Sequence, residues 1–318
     1  MRGQILVTGA SGFVGGHVLR ALRGAFPGAT LLGATRGEAL PGWDAAVPFD
    51  LDEPATAEAA VRAARPDAVL HLAARADVRA AFADPSATWR SNLVGTLSLA
   101  EAVLRHAPDA PFLFASSAEV HGLAFRAGRL DEEAPMRPAN PYAAAKAAAE
   151  LALSEMALRG LRAVRLRPVT HCGPGQGTGF AVADFARQAA RIAAGVQPPV
   201  MRVGALDRWR DILDVRDVAR GYALALARAD ALAPGAVIAL ASGVPRRIGE
   251  VLSALLLRFG VSPRIEVAPA LLRPTDVERT EGDASRAAAL LGWRPEIAWE
   301  ATLDDVAADW RARVAAGG

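Results

Sequence analysis

Four short runs in the N-terminal half, residues 4–8, 30–34, 68–72 and 112–115, are apolar at nearly every position. A strand with one wet face alternates, whereas a strand covered on both faces does not, so these runs read as parallel strands buried between layers. The stretches between them, around 14–22, 56–64 and 86–105, are longer, rich in alanine and helical in period. Strands alternating with helices predict an α/β fold, a doubly wound parallel sheet with right-handed crossovers. A further strand at 163–166 continues the pattern, and residues 167–179, dense in Gly and Pro, break it. The break places a first domain at 1–168 and a smaller, mixed C-terminal domain at 169–318, with a segment near 211–241 returning to the first. The second domain is expected to hold helices near 184–194, 248–259, 284–290 and 301–315, and a strand near Ile238 joins the returning segment.

The chain has 318 residues, of which 52% are hydrophobic, enough for two cores. Its formal charge is +2, with 36 Lys plus Arg spread along the chain and no basic stripe, which argues against nucleic acid as a partner. Cys172 is the one cysteine, so no internal disulfide framework exists and a reducing compartment suits the chain. The first strand begins at once, leaving no room for a leader, and no apolar run reaches the ~18 residues of a membrane span. A cytoplasmic protein with no membrane partner is expected.

The first strand runs into Thr8-Gly9-Ala10-Ser11-Gly12-Phe13-Val14-Gly15. Glycine every third residue between a strand and a helix suits a pyrophosphate, because the backbone comes close and the helix offers unpaired N–H groups. Gly9, Ser11, Gly12, Phe13, Val14 and Gly15 are therefore candidate cofactor residues. An acid at the end of the second strand would bind the ribose 2′-hydroxyl of NAD. Here Thr35 and Arg36 stand there, with no acid before Glu38, a pair suited to the 2′-phosphate of NADP, with NAD still possible. Asp50 and Leu51 follow a short strand and suit the adenine. Leu72, Ala73 and Ala74 end the fourth strand with small residues that let a ribose lie close. His71, among apolar neighbours, reads as a packed histidine.

Of the 36 basic residues one is a lysine, Lys146, and it stands four residues after Tyr142, one of two tyrosines. On a helix these positions share a face, so the ammonium is expected to lower the phenol's pKa and to hold the nicotinamide ribose. Ser117 lies 25 residues before Tyr142 at the end of the fifth strand, where its hydroxyl can polarise a carbonyl. Arg187, Arg210 and Arg273, in the less regular second half, offer guanidinium forks for a diphosphate. No metal is expected.

The glycine turn, Ser116-Ser117-Ala118-Glu119, and Tyr142 with Lys146 resemble the extended short-chain dehydrogenase/reductases that act on nucleotide sugars, which implies a Rossmann-type fold. Residues 173–180 and 184–188, Arg210-Asp211-Ile212, Leu272-Arg273-Pro274-Thr275-Asp276-Val277 and Gly292-Trp293-Arg294-Pro295 are similar to GDP-4-keto-6-deoxy-D-mannose reductases, and next to GDP-mannose 4,6-dehydratases. The resemblance implies NADPH-dependent reduction of a GDP-4-keto-6-deoxy-hexose at C4, with Ser117, Tyr142 and Lys146 catalytic and Thr170, Phe180, Arg187, Arg210, Arg273 and Asp276 toward the substrate. A dehydratase would use Glu119 as an extra base. The same residues would also serve a 4-epimerase, or an NADP-binding protein without chemistry. The chain departs from the family at His121, usually tyrosine, and at Thr170 and Ala205, usually asparagine. Thr170 thus lacks an amide that in the family helps hold the nucleotide end. A homodimer is expected through the helices at 86–105 and 141–159, which carry many small apolar residues.

Overall fold

The computed structural model describes residues 3–37 and 41–317. Seven strands form one parallel sheet: β1 (Gln4–Thr8), β2 (Thr30–Thr35), β3 (Ala45–Pro48), β4 (Ala68–His71), β5 (Phe112–Ala115), β6 (Ala163–Pro168) and β10 (Ala236–Leu240). Their order is β3-β2-β1-β4-β5-β6-β10, so the winding reverses between β1 and β4. Ligands of such sheets bind in the crevice beyond the strand ends at that reversal, and the glycine turn follows β1 there.

Consecutive side chains of a strand point to opposite faces, and each face has its own core. Ile5, Val7, Leu70 and Leu113 pack with Val18 and Leu22 of α1 (Phe13–Ala25) and with Tyr222 and Leu226 of α8 (Val215–Ala227). Leu6, Val69, Phe112 and Phe114 pack on the other side with α2 (Pro54–Ala64), α5 (Thr96–His106) and α6 (Pro141–Leu158). Full coverage on both sides is why the strands carry unbroken apolar runs.

The helix expected at 86–105 is not uniform. After α3 (Val78–Ala83), α4 (Pro85–Trp89) passes into a π-helical turn, Arg90–Gly95, and then into α5. The wider turn places Asn92, fully buried, where its amide exchanges hydrogen bonds with the backbone N–H and carbonyl of Arg75.

The second unit holds β7 (Thr170–Cys172), α7 (Ala181–Ala193), β8 (Val200–Val203), β9 (Trp209–Asp214), β11 (Pro245–Arg247), α9 (Ile248–Phe259), β12 (Arg264–Val267) and α11 (Trp299–Ala315). The strands pair as β11-β9-β7 and β12-β8. Its core joins Phe185, Met201, Leu255, Leu303 and Trp310. Between β9 and β11 the chain returns to the first unit: Asp214 caps α8, α8 packs on α1, and β10 adds the seventh strand beside β6. Trp293, after α10 (Ser285–Leu291), is buried against this return, its indole N–H donating to the Asp217 carbonyl at 2.9 Å.

His71, at the end of β4, is fully buried between Phe112 and Phe114. Its Nδ1 meets the Thr8 hydroxyl at 2.6 Å and its Nε2 meets the Thr96 hydroxyl at 3.0 Å. Burial, helped by the Lys146 charge, pulls its pKa down to about 3. It is the packed histidine that its neighbours in sequence suggest.

Two outcomes are expected. Trp293→Ala removes the indole and leaves a cavity under α8, costing about 3–5 kcal/mol in urea unfolding. His71 takes up a proton more readily unfolded than folded. Its contribution is full above pH ~6.5 and declines by about 1.4 kcal/mol per pH unit as pH falls toward about 3. In His71→Gln, unfolding midpoints measured across that window should lose this slope.

Candidate active site

The turn after β1 is shaped by contact with β4. Gly9 has φ +71°, and a Cβ there would lie 2.8 Å from the Ala73 nitrogen. Ala73 N–H donates to the Thr8 hydroxyl at 3.2 Å, and Gly12 N–H to the Gly9 carbonyl at 2.9 Å. Ser11 and Gly12 are exposed, Phe13 and Val14 partly buried and Gly15 buried, so the first turn of α1 opens to the crevice. No side chain caps α1, which leaves its N–H groups available to an anion. Thr35 Oγ1 meets Ser11 Oγ at 3.4 Å, joining the end of β2 to this turn. Arg36 is exposed; the Asp52 carboxyl near it is held low chiefly by the Ser91 hydroxyl, then by Arg75, and least by Arg36; Glu38 lies outside the described residues. Asp50 and Leu51 follow β3, and Leu51 packs against Gly95 of the π turn. Leu72, Ala73 and Ala74 are partly buried just after β4. Every residue expected to hold a dinucleotide along this edge therefore lines the C-terminal ends of β1, β2, β3 and β4.

Beyond β5 the chain makes a 3₁₀ segment, Ala118–Ala127, capped by Ser117, whose Oγ accepts the Glu119 N–H at 3.1 Å. The segment is bent at Gly122 (φ +44°), where a Cβ would sit 2.8 Å from the Ala139 nitrogen. That close approach brings 118–122 against the start of α6. Asn140 caps α6, its Oδ1 accepting the Ala143 N–H at 2.8 Å, while its Nδ2 donates to Glu119 Oε2 at 2.8 Å. Sequence reasoning missed Asn140, although Asn-Pro before an alanine run is the signature of a capped helix start.

Tyr142 and Lys146 follow one turn apart. The Lys146 ammonium donates to the Ala115 carbonyl at 2.7 Å and lies 4.5 Å from the centre of the Phe114 ring. Burial pulls its pKa down to about 7, against the charge of Glu150. The expected lowering of the Tyr142 pKa is not found. Burial and the nearby Glu119 carboxylate push the phenol up, and the Ser117 hydroxyl only partly opposes them. Lys146 spends a donor on a carbonyl, and the charge that reaches the phenol is the negative one.

The second unit faces this set. Arg273 is exposed, and its guanidinium comes within 3.6 Å of Glu119, so a residue expected at the substrate phosphates stands beside the Ser117, Tyr142 and Glu119 cluster. Arg210 and Asp276 are engaged with each other. Arg210 Nη2 reaches Asp276 Oδ1 at 2.6 Å, and Nη1 donates to the Trp209 and Val277 carbonyls at 2.8 Å. The free fork expected of Arg210 is thus a largely covered clamp that holds the 276–278 segment against β9. Arg187, on α7, is half-buried with its Nε unpartnered and Asp184 3.8 Å away. Phe180 caps the same helix and is 39% exposed; Thr170 is exposed on β7. The two units also meet where His171 stacks on Phe13 and His17 contacts the Pro174 carbonyl at 2.9 Å.

Among the described residues no helix is long and apolar enough to cross a membrane. Residues 5–241 match the model of the NAD dependent epimerase/dehydratase family. Over 316 residues the chain is 37% identical to GDP-6-deoxy-D-mannose reductase of Pseudomonas aeruginosa, covering 99% of each. It is 31% identical to UDP-glucose 4-epimerase of Azospirillum brasilense, over 95% of this chain and 93% of that one. A solved structure described as RMD from Pseudomonas aeruginosa complexed with NADPH superposes with a TM-score of 0.84 at 35% identity, covering 98% of this chain and 99% of that one. With a reversed-winding sheet, a glycine turn at the reversal and a Ser-Tyr-Lys set beside it, the chain belongs to the NAD dependent epimerase/dehydratase family.

Proposed function

We propose that this chain is an NADPH-dependent reductase of the C4 keto group of a GDP-4-keto-6-deoxy-hexose, turning GDP-4-keto-6-deoxy-D-mannose into GDP-D-rhamnose or its C4 epimer. The observation that carries the reading is the extent of the likeness to GDP-6-deoxy-D-mannose reductase: it runs through the second unit, where the sugar nucleotide would lie, as well as the first. Residues 1–168 with the returning 211–241 segment serve the cofactor, and 169–318 the substrate.

The residues present fit NADPH. The Gly9–Gly15 turn with the open end of α1 holds the pyrophosphate, Thr35 and Arg36 the 2′-phosphate, Asp50 and Leu51 the adenine, and Leu72, Ala73, Ala74 and Lys146 the riboses. When bound, NADPH supplies the hydride. Tyr142 donates the proton to the sugar C4 oxygen, and Ser117 hydrogen-bonds the same oxygen. The upward push on the phenol suits this direction, because a proton donor must hold its proton until the carbonyl is reduced. Asn140 and Arg273 steady Glu119 from two sides, and Arg187, Phe180 and Thr170 face the nucleotide end. The protein works as a cytoplasmic homodimer through the face of the π turn and α5, where Val94 is exposed (46%), and that of α6, where Leu151 (61%) and Leu158 (90%) are exposed.

Mixing the protein with NADPH and GDP-4-keto-6-deoxy-D-mannose should consume one NADPH per product, read as loss of the reduced nicotinamide absorbance. Tyr142→Phe should lower kcat by roughly 10²–10⁴. Net consumption of zero, with GDP-mannose converted instead, would move the assignment to the dehydratase and to Glu119 as base. Arg36→Ala should raise KM for NADPH by about tenfold or more while leaving KM for NADH unchanged, since only the 2′-phosphate loses its charged partner.

A further inference from the structure

Glu150 is the acid that the chemistry above does not use, and it is fully buried. It lies one helical turn beyond Lys146 on α6, so the two side chains share a face. Its carboxylate is held from β5 and β6. Ser116 Oγ donates to Oε1, and Arg167 makes a forked contact, Nε to Oε1 at 2.9 Å and Nη2 to Oε2 at 2.7 Å. Arg167 is itself fixed by the Glu132 carbonyl at 2.9 Å and His121 Nε2 at 3.2 Å. Arg165 donates to the Glu150 backbone carbonyl.

Ser116 lies between Ala115, whose carbonyl receives the Lys146 ammonium, and Ser117. One carboxylate therefore touches the segment that carries both the lysine's acceptor and the catalytic hydroxyl. Around Lys146 the titratable groups are Tyr142 and Glu150 on α6 and His71 on β4. The tyrosine and histidine are neutral near pH 7, the first because its pKa is raised and the second because its pKa is about 3. Glu150 supplies the negative charge, and Arg165 and Arg167 of β6 lie against it. Among the described residues no ion pair within 4 Å joins the two: the ammonium's direct partner is the Ala115 carbonyl and the carboxylate's are Ser116 and Arg167, so Glu150 acts on Lys146 through its charge one helical turn away.

We propose that Glu150 is a positioning residue of the active centre: its carboxylate is the countercharge of the Lys146 ammonium and, through Ser116, pins the end of β5 that presents Ser117. This rests on the reading that Lys146 serves the reduction, and the test separates the two.

Lys146 is the only lysine, so labelling lysine with ¹³Cε and ¹⁵Nζ gives one set of signals that reports this side chain in the full-length protein. The starting midpoint should lie at about 7. Glu150→Gln should move it down by about one unit or more. Because that variant strands the buried Arg167, the pair Glu150→Gln with Arg167→Gln, which removes both charges, is measured beside it. Ser116→Ala should leave the midpoint in place. In kcat/KM for NADPH oxidation, the charge-removing variants should lose at least about tenfold at pH 8 and recover toward wild type at pH 6, where the lysine is again protonated; Glu150→Asp should restore part of the midpoint. A midpoint unmoved in both Gln variants overturns the proposal. A midpoint that moves while the rate profile does not supports the countercharge and overturns the part given to Lys146 in the reduction.

Discussion

The closeness with which β1 and β4 run together at their C-terminal ends is the constraint from which the site follows. Ala73 N–H donates to Thr8 Oγ1, and because His71 is neutral with its proton on Nε2, the Thr8 hydroxyl's own hydrogen points to His71 Nδ1. The Thr96 hydroxyl donates to the Asn92 carbonyl at 2.8 Å, so His71 Nε2 must carry the proton that Thr96 accepts. The hydrogen bonds then run in fixed directions from the loop after β4, through the buried imidazole, into the π turn. Gly9 completes the arrangement, since a side chain there would strike Ala73. The ends of β1 and β4 are thus tied together through one buried ring whose two nitrogens are both engaged.

At the far side of the crevice, burial sets the chemistry. A phenol and an ammonium one turn apart would in water differ little from free side chains. Here the ammonium sits over a ring with a carbonyl for its acceptor, and the phenol faces a carboxylate held by Asn140 and Arg273. Burial first, and for the phenol then the Glu119 carboxylate of the 3₁₀ segment, decide which group holds a proton.

Much of this was legible in the sequence. Continuous apolar runs marked the buried parallel strands, and the lone lysine four residues after a tyrosine marked a helix that places both one turn apart. What escaped were features made by distant residues. A π turn inside 86–105 costs one residue of register and barely alters the apolar period, so a single helix was the natural reading. Arg210 and Asp276 are 66 residues apart, and nothing local shows that they neutralise each other. The upward shift of Tyr142 depends on Glu119, which belongs to another element. The small β11-β9-β7 sheet has strands of three to six residues, too short for a periodic signal.

The return of the chain from the second unit has a bearing on biosynthesis. The sheet's last strand is residues 236–240, and the helix that covers α1 ends at Ala227. A nascent chain halted after β6 would show an unpaired strand edge and an uncovered apolar face, both ready templates for sticking to other chains. The first unit cannot close until β7, α7, β8 and β9 of the second have been synthesised, and Trp293 does not seal it until later still. Folding of the two units is thereby tied together in time. Fragments cut at the apparent boundary near residue 168 should behave as broken pieces of one fold, with neither half able to stand in for a domain.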